Sequence, residues 1–525
     1  MKTDVLIIGA GPTGLLLANF LGSMGVPTLV IERNTKTVAM PRAVSIDDES
    51  MRTIQSIGLD RDLDEIIQKG YGSICKGPAG DVFAEVKPVS REFGFEKRNA
   101  FRQPELEALL HRGANRFDCL SILFNTEMIS FSQDADGVTA AMDTPDQGKI
   151  EISAKYMVAC DGGRSPTRKL LGIKMLGSSF KEPWLIVDLI STKNRQFHTE
   201  VFCNPSRPCI TLPGPNGTRR YEFKLAPDET AEQAETENFA RTLLDQFGPD
   251  RNEPFVRVQV YTFHARVASR WREGRIFLAG DAAHLTPPFA GQGLNSGLRD
   301  AHNLAWKLSE AVAKPVNDDF LESYETERRP HAWSMIQLAM RMGAIMMPAS
   351  HWQGALVRFA FHVLGIYPPA RDYIAQMRFK PKPRFTGGLI WSDEMSSSQT
   401  IVGNLFPQPM IEGPDGEIQL FDQILPDHPI LLIYAERPEE AIHPDVIHEF
   451  EALGASVVGI TPEWMKPFTS RIPTYRDASR LLSNRPYIDY LNRALLLRRD
   501  RYVAASSEVA KIVDLKLPLK SIRPG

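Results

Sequence analysis

A chain of 525 residues exceeds what one compact core organises and predicts roughly two to four domains. Its 43% hydrophobic and 24% charged content, with a net charge of -3, describes an ordinary globular protein and argues against nucleic acid or an anionic membrane as partner. Five scattered cysteines, Cys75, Cys119, Cys160, Cys203 and Cys209, form no CxxC pair, which predicts a reducing cytoplasm, no disulfide framework and no metal site.

The opening stretch MKTDVLIIGAGPTGLLLANFLG has the look of a signal peptide, but Asp4 and the glycines Gly9, Gly11 and Gly14 fit a strand, a turn and a helix instead. An apolar run from Val5 to Ile8 leads into Gly9-x-Gly11-x-x-Gly14, a helical stretch reaches Leu21, and a second apolar run, Thr28 to Ile31, ends at Glu32. This is the pattern of a βαβ unit. Gly9 permits the tight turn, and Gly11, followed by Pro12 and Thr13, lets a pyrophosphate approach the backbone at a helix N-terminus. Gly14 allows close helix packing. Glu32, eighteen residues after Gly14, is spaced to accept hydrogen bonds from an adenosine ribose, which favours FAD or NAD over NADP. No apolar run of about 20 residues lacks charge, so no membrane span is predicted.

Further along, YMVACDGGRSPTRKLLGI (Tyr156 to Ile173) reads as a short strand, an Asp161-Gly162 turn and a basic helix. RRYEFKL (Arg219 to Leu225) alternates Tyr221, Phe223 and Leu225 on one face with Arg220, Glu222 and Lys224 on the other, and FVRVQVYTF from Phe255 alternates similarly. These predict antiparallel strands with one face roofing a site and the other meeting solvent. GRIFLAGDAAHLTPPFAGQGLNSGLRDAHNLAWKL is another strand and turn, Gly280-Asp281, before a long amphipathic helix from Gly293. Asp281 falls at a strand's carboxyl end, where open α/β sheets hold ligands and where it can bond a polyol. The stretch Pro287 to Asn295 presents backbone more than side chains, which suits a flat heterocycle. His284 reads as a packing or capping residue. After the Pro-, Gly- and Ser-rich FKPKPRFTGGLIWSDEMSSSQT, the runs PILLIYA and ASVVGIT predict a separate small α/β domain, and no cysteine follows Cys209 to give it disulfide chemistry.

The signals GxGxxG, DG and GD, in that order, resemble the class A FAD-dependent aromatic hydroxylases related to para-hydroxybenzoate hydroxylase. PRAVSIDDESMRTIQSIGL from Pro41, RQPELEALL from Arg102, RRPHAWSMI from Arg328, WQGALVR from Trp352 and MRFKPKPRF from Met377 are similar to the 3-(3-hydroxyphenyl)propionate hydroxylase group, along nearly the whole chain. The resemblance implies an α/β fold: a Rossmann-like FAD-binding domain of the GR2 type, an inserted β-sheet substrate domain and a C-terminal thioredoxin-like domain. The boundaries expected are 1–75, 100–180 and 273–375 for the discontinuous FAD domain, and 76–99 and 181–272 for the substrate domain. A linker at 376–397 and a thioredoxin-like domain at 398–525 complete the chain.

The resemblance also implies FAD as cofactor, NADH or NADPH as transient donor, dioxygen and a phenolic substrate. Hydroxylation would occur ortho or para to a hydroxyl through an FAD C4a-hydroperoxide, with homodimerisation as an option. Carried over by position, Gly9, Gly11, Pro12, Thr13, Gly14, Glu32 and Arg33 match the ADP-binding fingerprint, and Arg42 and Gln103 match positions that touch the cofactor. Asp161 matches the DG motif shared by FAD and the nicotinamide donor, and Asp281 the ribityl-binding GD motif. Pro288, Gly291, Gln292, Gly293, Leu294 and Asn295 match the loop along the isoalloxazine. Tyr221, Tyr261, His264 and Pro288 are the candidates to approach the phenol. A larger polyketide or antibiotic substrate, or a flavin reductase without oxygen insertion, are the alternatives; a halogenase is disfavoured because no WxWxIP segment occurs.

Overall fold

The computed structural model describes residues 1–146 and 148–523, which group into two compact units. The first comprises Met1–Ser90, Glu96–Ala301 and Ala332–Pro381. At its centre lies an eight-stranded sheet whose parallel members are Ile276–Leu278, Gly148–Ala159, β1 (Lys2–Ile8), β2 (Thr28–Ile31) and Leu120–Leu123, in that spatial order. β1 from Val5 onward and the whole of β2 are buried because both faces of a parallel sheet are covered, which is why Val5–Ile8 and Thr28–Ile31 read as apolar runs rather than alternating ones. Between them runs helix α1 (Pro12–Ser23), buried from Gly14 to Gly22. Its Pro12 presets the first helical turn, and its Gly14 lies so close to the turn that a Cβ there would stand 2.1 Å from the Gly9 carbonyl oxygen.

A second, seven-stranded sheet in the same unit runs Phe255–Tyr261, Trp184–Leu189, Arg219–Lys224, Cys209–Pro213, Thr199–Phe202, Ser73–Lys76, Val82–Val86. One of its faces packs Tyr221, Phe223 and Leu225 against Leu243 and Leu244 of the helix Glu237–Phe247. Neither face of Arg219–Lys224 meets solvent: its first five residues are buried. The expected two-faced strands are therefore present, but the face assigned to solvent is also covered.

The second unit comprises Arg91–Phe95, His302–His331 and Lys382–Gly525. Its seven-stranded mixed sheet has Ile430–Tyr434 parallel to Ser456–Thr461, with the helix Pro444–Ala452 between them in sequence, and antiparallel to Arg493–Leu497. All five cysteines lie in the first unit. Inside the second unit, Glu327 receives hydrogen bonds from Arg498 at 2.7 and 2.9 Å, from Lys307 at 2.7 Å and from Asn303 at 2.7 Å. Arg498 also bonds Asp500 at 2.6 and 2.9 Å, so two acids and two bases neutralise each other in a fully buried cluster. Among the described residues no helix is long and apolar enough to cross a membrane, and no group of three His, Cys, Asp or Glu side chains is placed to hold a metal.

Candidate active site

Four turns converge because four parallel strands end side by side. Gly9 follows β1, Glu32 follows β2, Asp161 follows Gly148–Ala159, and Gly280-Asp281 follows Ile276–Leu278. The carboxyl ends of such strands open on one crevice, and here that crevice is a cavity of about 1400 Å³. Its size exceeds the roughly 300–1,000 Å³ of a single drug-sized ligand site.

The glycine loop is bare by construction. Gly9 sits at φ +107°, and a Cβ there would lie 2.4 Å from the Cys160 carbonyl oxygen, so this position accepts no side chain. Gly11 differs: its backbone is extended, with φ -77° and ψ -179°, and a Cβ would meet nothing within 4 Å. The protein's own packing does not require glycine there; the open space in front of it does. No side chain caps the first turn of α1, leaving helix N–H groups directed at that space. Glu32 reaches back to the loop, accepting from the Ala10 amide at 2.9 Å and the Asn34 amide at 2.9 Å.

Gly9, Gly11, Pro12, Thr13 and Glu32 all line the cavity, as do Arg33 and Arg42, both exposed and with guanidinium groups that make no hydrogen bond or ion pair among the described residues. Gln103 lines it too and fixes the Arg42 segment by accepting from the Ala43 amide at 2.8 Å. Asp161 places Oδ2 on the Thr167 amide (3.0 Å) and hydroxyl (2.7 Å), while its buried Oδ1 has no partner. Asp281 is exposed to the cavity yet walled by protein elsewhere; this burial raises its carboxyl above the usual range, against the influence of His284 and Arg42. Pro288, Gly291, Gln292, Gly293 and Leu294 complete this side, with Gly291 in the left-handed conformation at φ +62°.

Two expected contacts lie behind the wall instead. Gly14 is a packing position, as its 2.1 Å clearance shows, and the fully buried Asn295 clamps the loop by donating to the Gly291 carbonyl at 2.7 Å and the Ser45 carbonyl at 3.1 Å. His284 is buried and bonded to Asp300 at 2.7 Å; the same carboxylate accepts the Gly280 amide at 3.1 Å and so holds the Gly-Asp turn.

The three aromatic and imidazole candidates are engaged with other protein groups, outside the cavity lining. Tyr221 is fully buried on the helix side of the sheet and donates to Asp250 at 2.8 Å. Tyr261 donates to Gln259 at 2.9 Å and accepts from Arg257 at 3.0 Å, and His264 is hydrogen-bonded through Nδ1 to the Ser179 hydroxyl at 2.8 Å. None of the three lines the cavity. The residues that do are the opposite-parity neighbours of Tyr221, namely Arg220 and Glu222, followed along the sheet by Ile210, Leu212 and Val201. A charge ladder across the strands carries the signal that alternation alone missed. Asp188 stands opposite Arg220 on one side and Arg257 on the other, bonding them at 2.6 and 2.9 Å, and Glu222, 3.7 Å from Arg220, supplies the second negative charge, so the face needs no solvent.

The remaining wall comes from helices. Leu338, Arg341, Met342 and Ile345 present one face of Asp318–Met346, and Phe361 and Leu364 belong to His351–Ile366. Lys380 is committed to Asp47 at 3.0 Å and Glu49 at 2.7 Å, whereas Arg341 has no acid within ion-pair distance among the described residues.

A model of the FAD binding domain family matches residues 2–339, and one of the HcaD C-terminal domain family matches 403–517. A 3-(3-hydroxy-phenyl)propionate/3-hydroxycinnamic acid hydroxylase of Klebsiella pneumoniae subsp. pneumoniae is 37% identical over 461 residues, covering 88% of this chain and 83% of that protein. The chain belongs to the FAD-dependent aromatic hydroxylases. A relative of the same name from Escherichia coli K12 is also 37% identical, over 463 residues, with the same shares covered. The hydroxylase fold extends to solved structures. The flavin-dependent monooxygenase PieE, in complex with FAD and substrate, superposes with a TM-score of 0.83 at 20% identity, covering all of both chains. Aklavinone-11 hydroxylase gives 0.79 at 23% identity over 100% of this chain and 99% of that one. As a member of this family the protein is an FAD-dependent monooxygenase that uses reduced nicotinamide, dioxygen and an aromatic substrate.

Proposed function

We propose that this hydroxylase acts on a phenol bearing a short carboxylate side chain, of the 3-(3-hydroxyphenyl)propionate type, at a ring carbon ortho or para to the hydroxyl. The observation that carries this reading is Arg341, a cation without an acid partner on an otherwise apolar wall formed with Leu338, Met342 and Ile345. Such a wall buries a ring, and a guanidinium there bonds a carboxylate through charge-assisted hydrogen bonds. The 37% identical relatives carry the name of that substrate class.

The residues lining the cavity fit FAD. Glu32 would take the adenosine ribose, and Gly11 with the start of α1, aided by Arg33 and Arg42, the pyrophosphate. Asp281 would take the ribityl chain and the backbone of Pro288 to Leu294 the ring. Bound FAD, reduced by nicotinamide, supplies activated oxygen to the substrate ring. The chain's own residues bind, orient and dehydrate. Ile210, Val201, Phe361 and Leu364 exclude water from the reacting ring, and Arg341 holds the ring in reach through its carboxylate.

Purified protein is expected to be yellow with noncovalent FAD and to couple NADH or NADPH oxidation to a product carrying one added oxygen atom. Assay over a panel of phenols, with and without a propionate chain and including a polycyclic phenol, checks this by product mass. Oxidation that yields only peroxide across the panel refutes hydroxylation; turnover confined to the polycyclic phenol refutes the substrate assignment.

Asp281→Ala is expected to weaken FAD by roughly ten- to a hundred-fold, the loss of a charged hydrogen bond worth about 1.5–3 kcal/mol. FAD titration alongside the melting temperature of the apo-protein separates this from a structural effect. Lower apo-protein stability with FAD affinity intact assigns Asp281 to the turn instead.

A further inference from the structure

The wall opposite the glycine loops holds an acid that the reading above does not use. Glu222 is 4% exposed and lines the cavity, and its carboxylate accepts no hydrogen bond from any described residue. Its nearest cation, Arg220, stands 3.7 Å away and is committed elsewhere, to Asp188 at 2.6 and 3.1 Å and to the backbone carbonyls of Pro41 and Arg42 at 2.7 and 2.6 Å. A nine-tenths buried carboxylate is ordinarily hydrogen-bonded. This one opens on the cavity beside Ile210, its register partner on the neighbouring strand, in the patch where Phe289 of the ring-side loop packs with Ile210, Val201 and Cys75.

We propose that Glu222 is a catalytic residue that accepts the proton of the substrate's phenolic hydroxyl. The proposal rests on the reading of the substrate as a phenol. In the step, the phenolic O–H bond breaks, the proton passes to a Glu222 carboxylate oxygen, and the electron pair stays on the phenolate oxygen. From there it is delocalised onto the ortho and para carbons, the positions that attack an electrophilic oxygen. The proton leaves in the water that the turnover of dioxygen releases, and Glu222 returns to the carboxylate.

The surroundings suit the task. Burial raises the Glu222 carboxyl above its ordinary range; Arg220 and Arg257 oppose this and Asp188 adds to it. A stronger base narrows the gap to a phenol that ionises near pH 10, and a base matched more closely to its proton donor transfers faster. Arg220, held rigid by Asp188, keeps a fixed positive charge 3.7 Å from the Glu222 carboxylate.

The test uses the FAD-loaded enzyme, its Glu222→Gln and Glu222→Asp variants, and whichever phenol the wild type hydroxylates fastest. Three quantities are read: ultraviolet difference spectra of the bound phenol, which report its ionisation, the pH profile of hydroxylation, and FAD affinity. Glu222→Gln is expected to bind FAD and phenol but to hold the phenol neutral at pH 7. Its hydroxylation rate should fall roughly a hundred-fold or more and recover as pH rises toward the phenol's own pKa, with part of the rate restored in Glu222→Asp. An unchanged pH profile and unchanged phenol ionisation in a folded, FAD-saturated Glu222→Gln overturn the assignment while leaving the proposed reaction standing. So does a variant whose only defect is weaker FAD binding. A wild type that hydroxylates no phenol overturns both readings.

Discussion

Gly11→Val is expected to leave the apo-protein as stable as the wild type while lowering FAD affinity roughly a hundred-fold or more, the loss of at least one charged hydrogen bond plus steric exclusion. Gly14→Ala, three residues on, is expected to do the reverse. The difference follows from what each Cβ would meet. At Gly11 the backbone is extended at φ -77° and ψ -179°, which valine adopts readily, and nothing lies within 4 Å, so the branched side chain projects into the cavity where a pyrophosphate must approach. At Gly14 the Cβ would stand 2.1 Å from the Gly9 carbonyl oxygen and 3.2 Å from the Cys160 Cβ, so β1, α1 and the Asp161 turn must part. Overpacking of this kind costs about 1–3 kcal/mol. Thermal unfolding of both apo-proteins, paired with FAD titration, reads the contrast. A destabilised Gly11→Val with normal FAD affinity would assign that glycine to packing and remove the strongest argument for pyrophosphate at this loop.

The loops at the strand ends were legible because their chemistry is local. A glycine whose Cβ would strike a carbonyl, as at Gly9, or an acid ending an apolar strand, as at Glu32, is written within a few residues of the turn it makes. The sheet that faces them was legible only in part. Alternation in RRYEFKL establishes that Tyr221 and Glu222 point to opposite sides, but the choice of side depends on what lies beyond each face. The helix Glu237–Phe247 covers the tyrosine side, and Asp188 and Arg257, 32 and 37 residues from Arg220 in sequence, make the charged side tolerable to bury. Arg341 was missed for a similar reason: an arginine in a helix of mixed polar and apolar residues reads as solvated until the cavity beside it is known. Long-range pairing is likewise absent from local pattern. Tyr487 donates to Glu92 at 2.9 Å, and Gln408 to the Phe93 carbonyl at 2.8 Å, grouping residues 91–95 with the C-terminal sheet across some 300 residues or more of sequence.

Glu327→Ala is expected to cost about 3–5 kcal/mol of stability in the second unit, because it strands Lys307 and Arg498, both fully buried, with Asp500 as their remaining acid in the cluster. Burial alone would raise the Glu327 carboxyl, but Arg498 and Lys307 more than offset it and hold the group down at about 2, against an ordinary 4.5. Between those values the unfolded chain binds a proton that the folded one does not, so the contribution is complete above about pH 5 and is lost as pH falls toward 2. Lys307 is lowered to about 8 by burial, so it remains charged across that acidic range and continues to need a counter-charge. Glu327→Gln keeps the shape and an acceptor for Arg498 while removing the charge, and so isolates this electrostatic contribution. Its melting temperature should fall furthest below wild type near pH 7, with the gap closing as the pH is lowered through 4. Thermal unfolding of both proteins from pH 8 to the acid limit of folding measures that gap. A difference that stays constant with pH would mean that the carboxylate contributes through packing and hydrogen bonds rather than charge, and would refute the linkage.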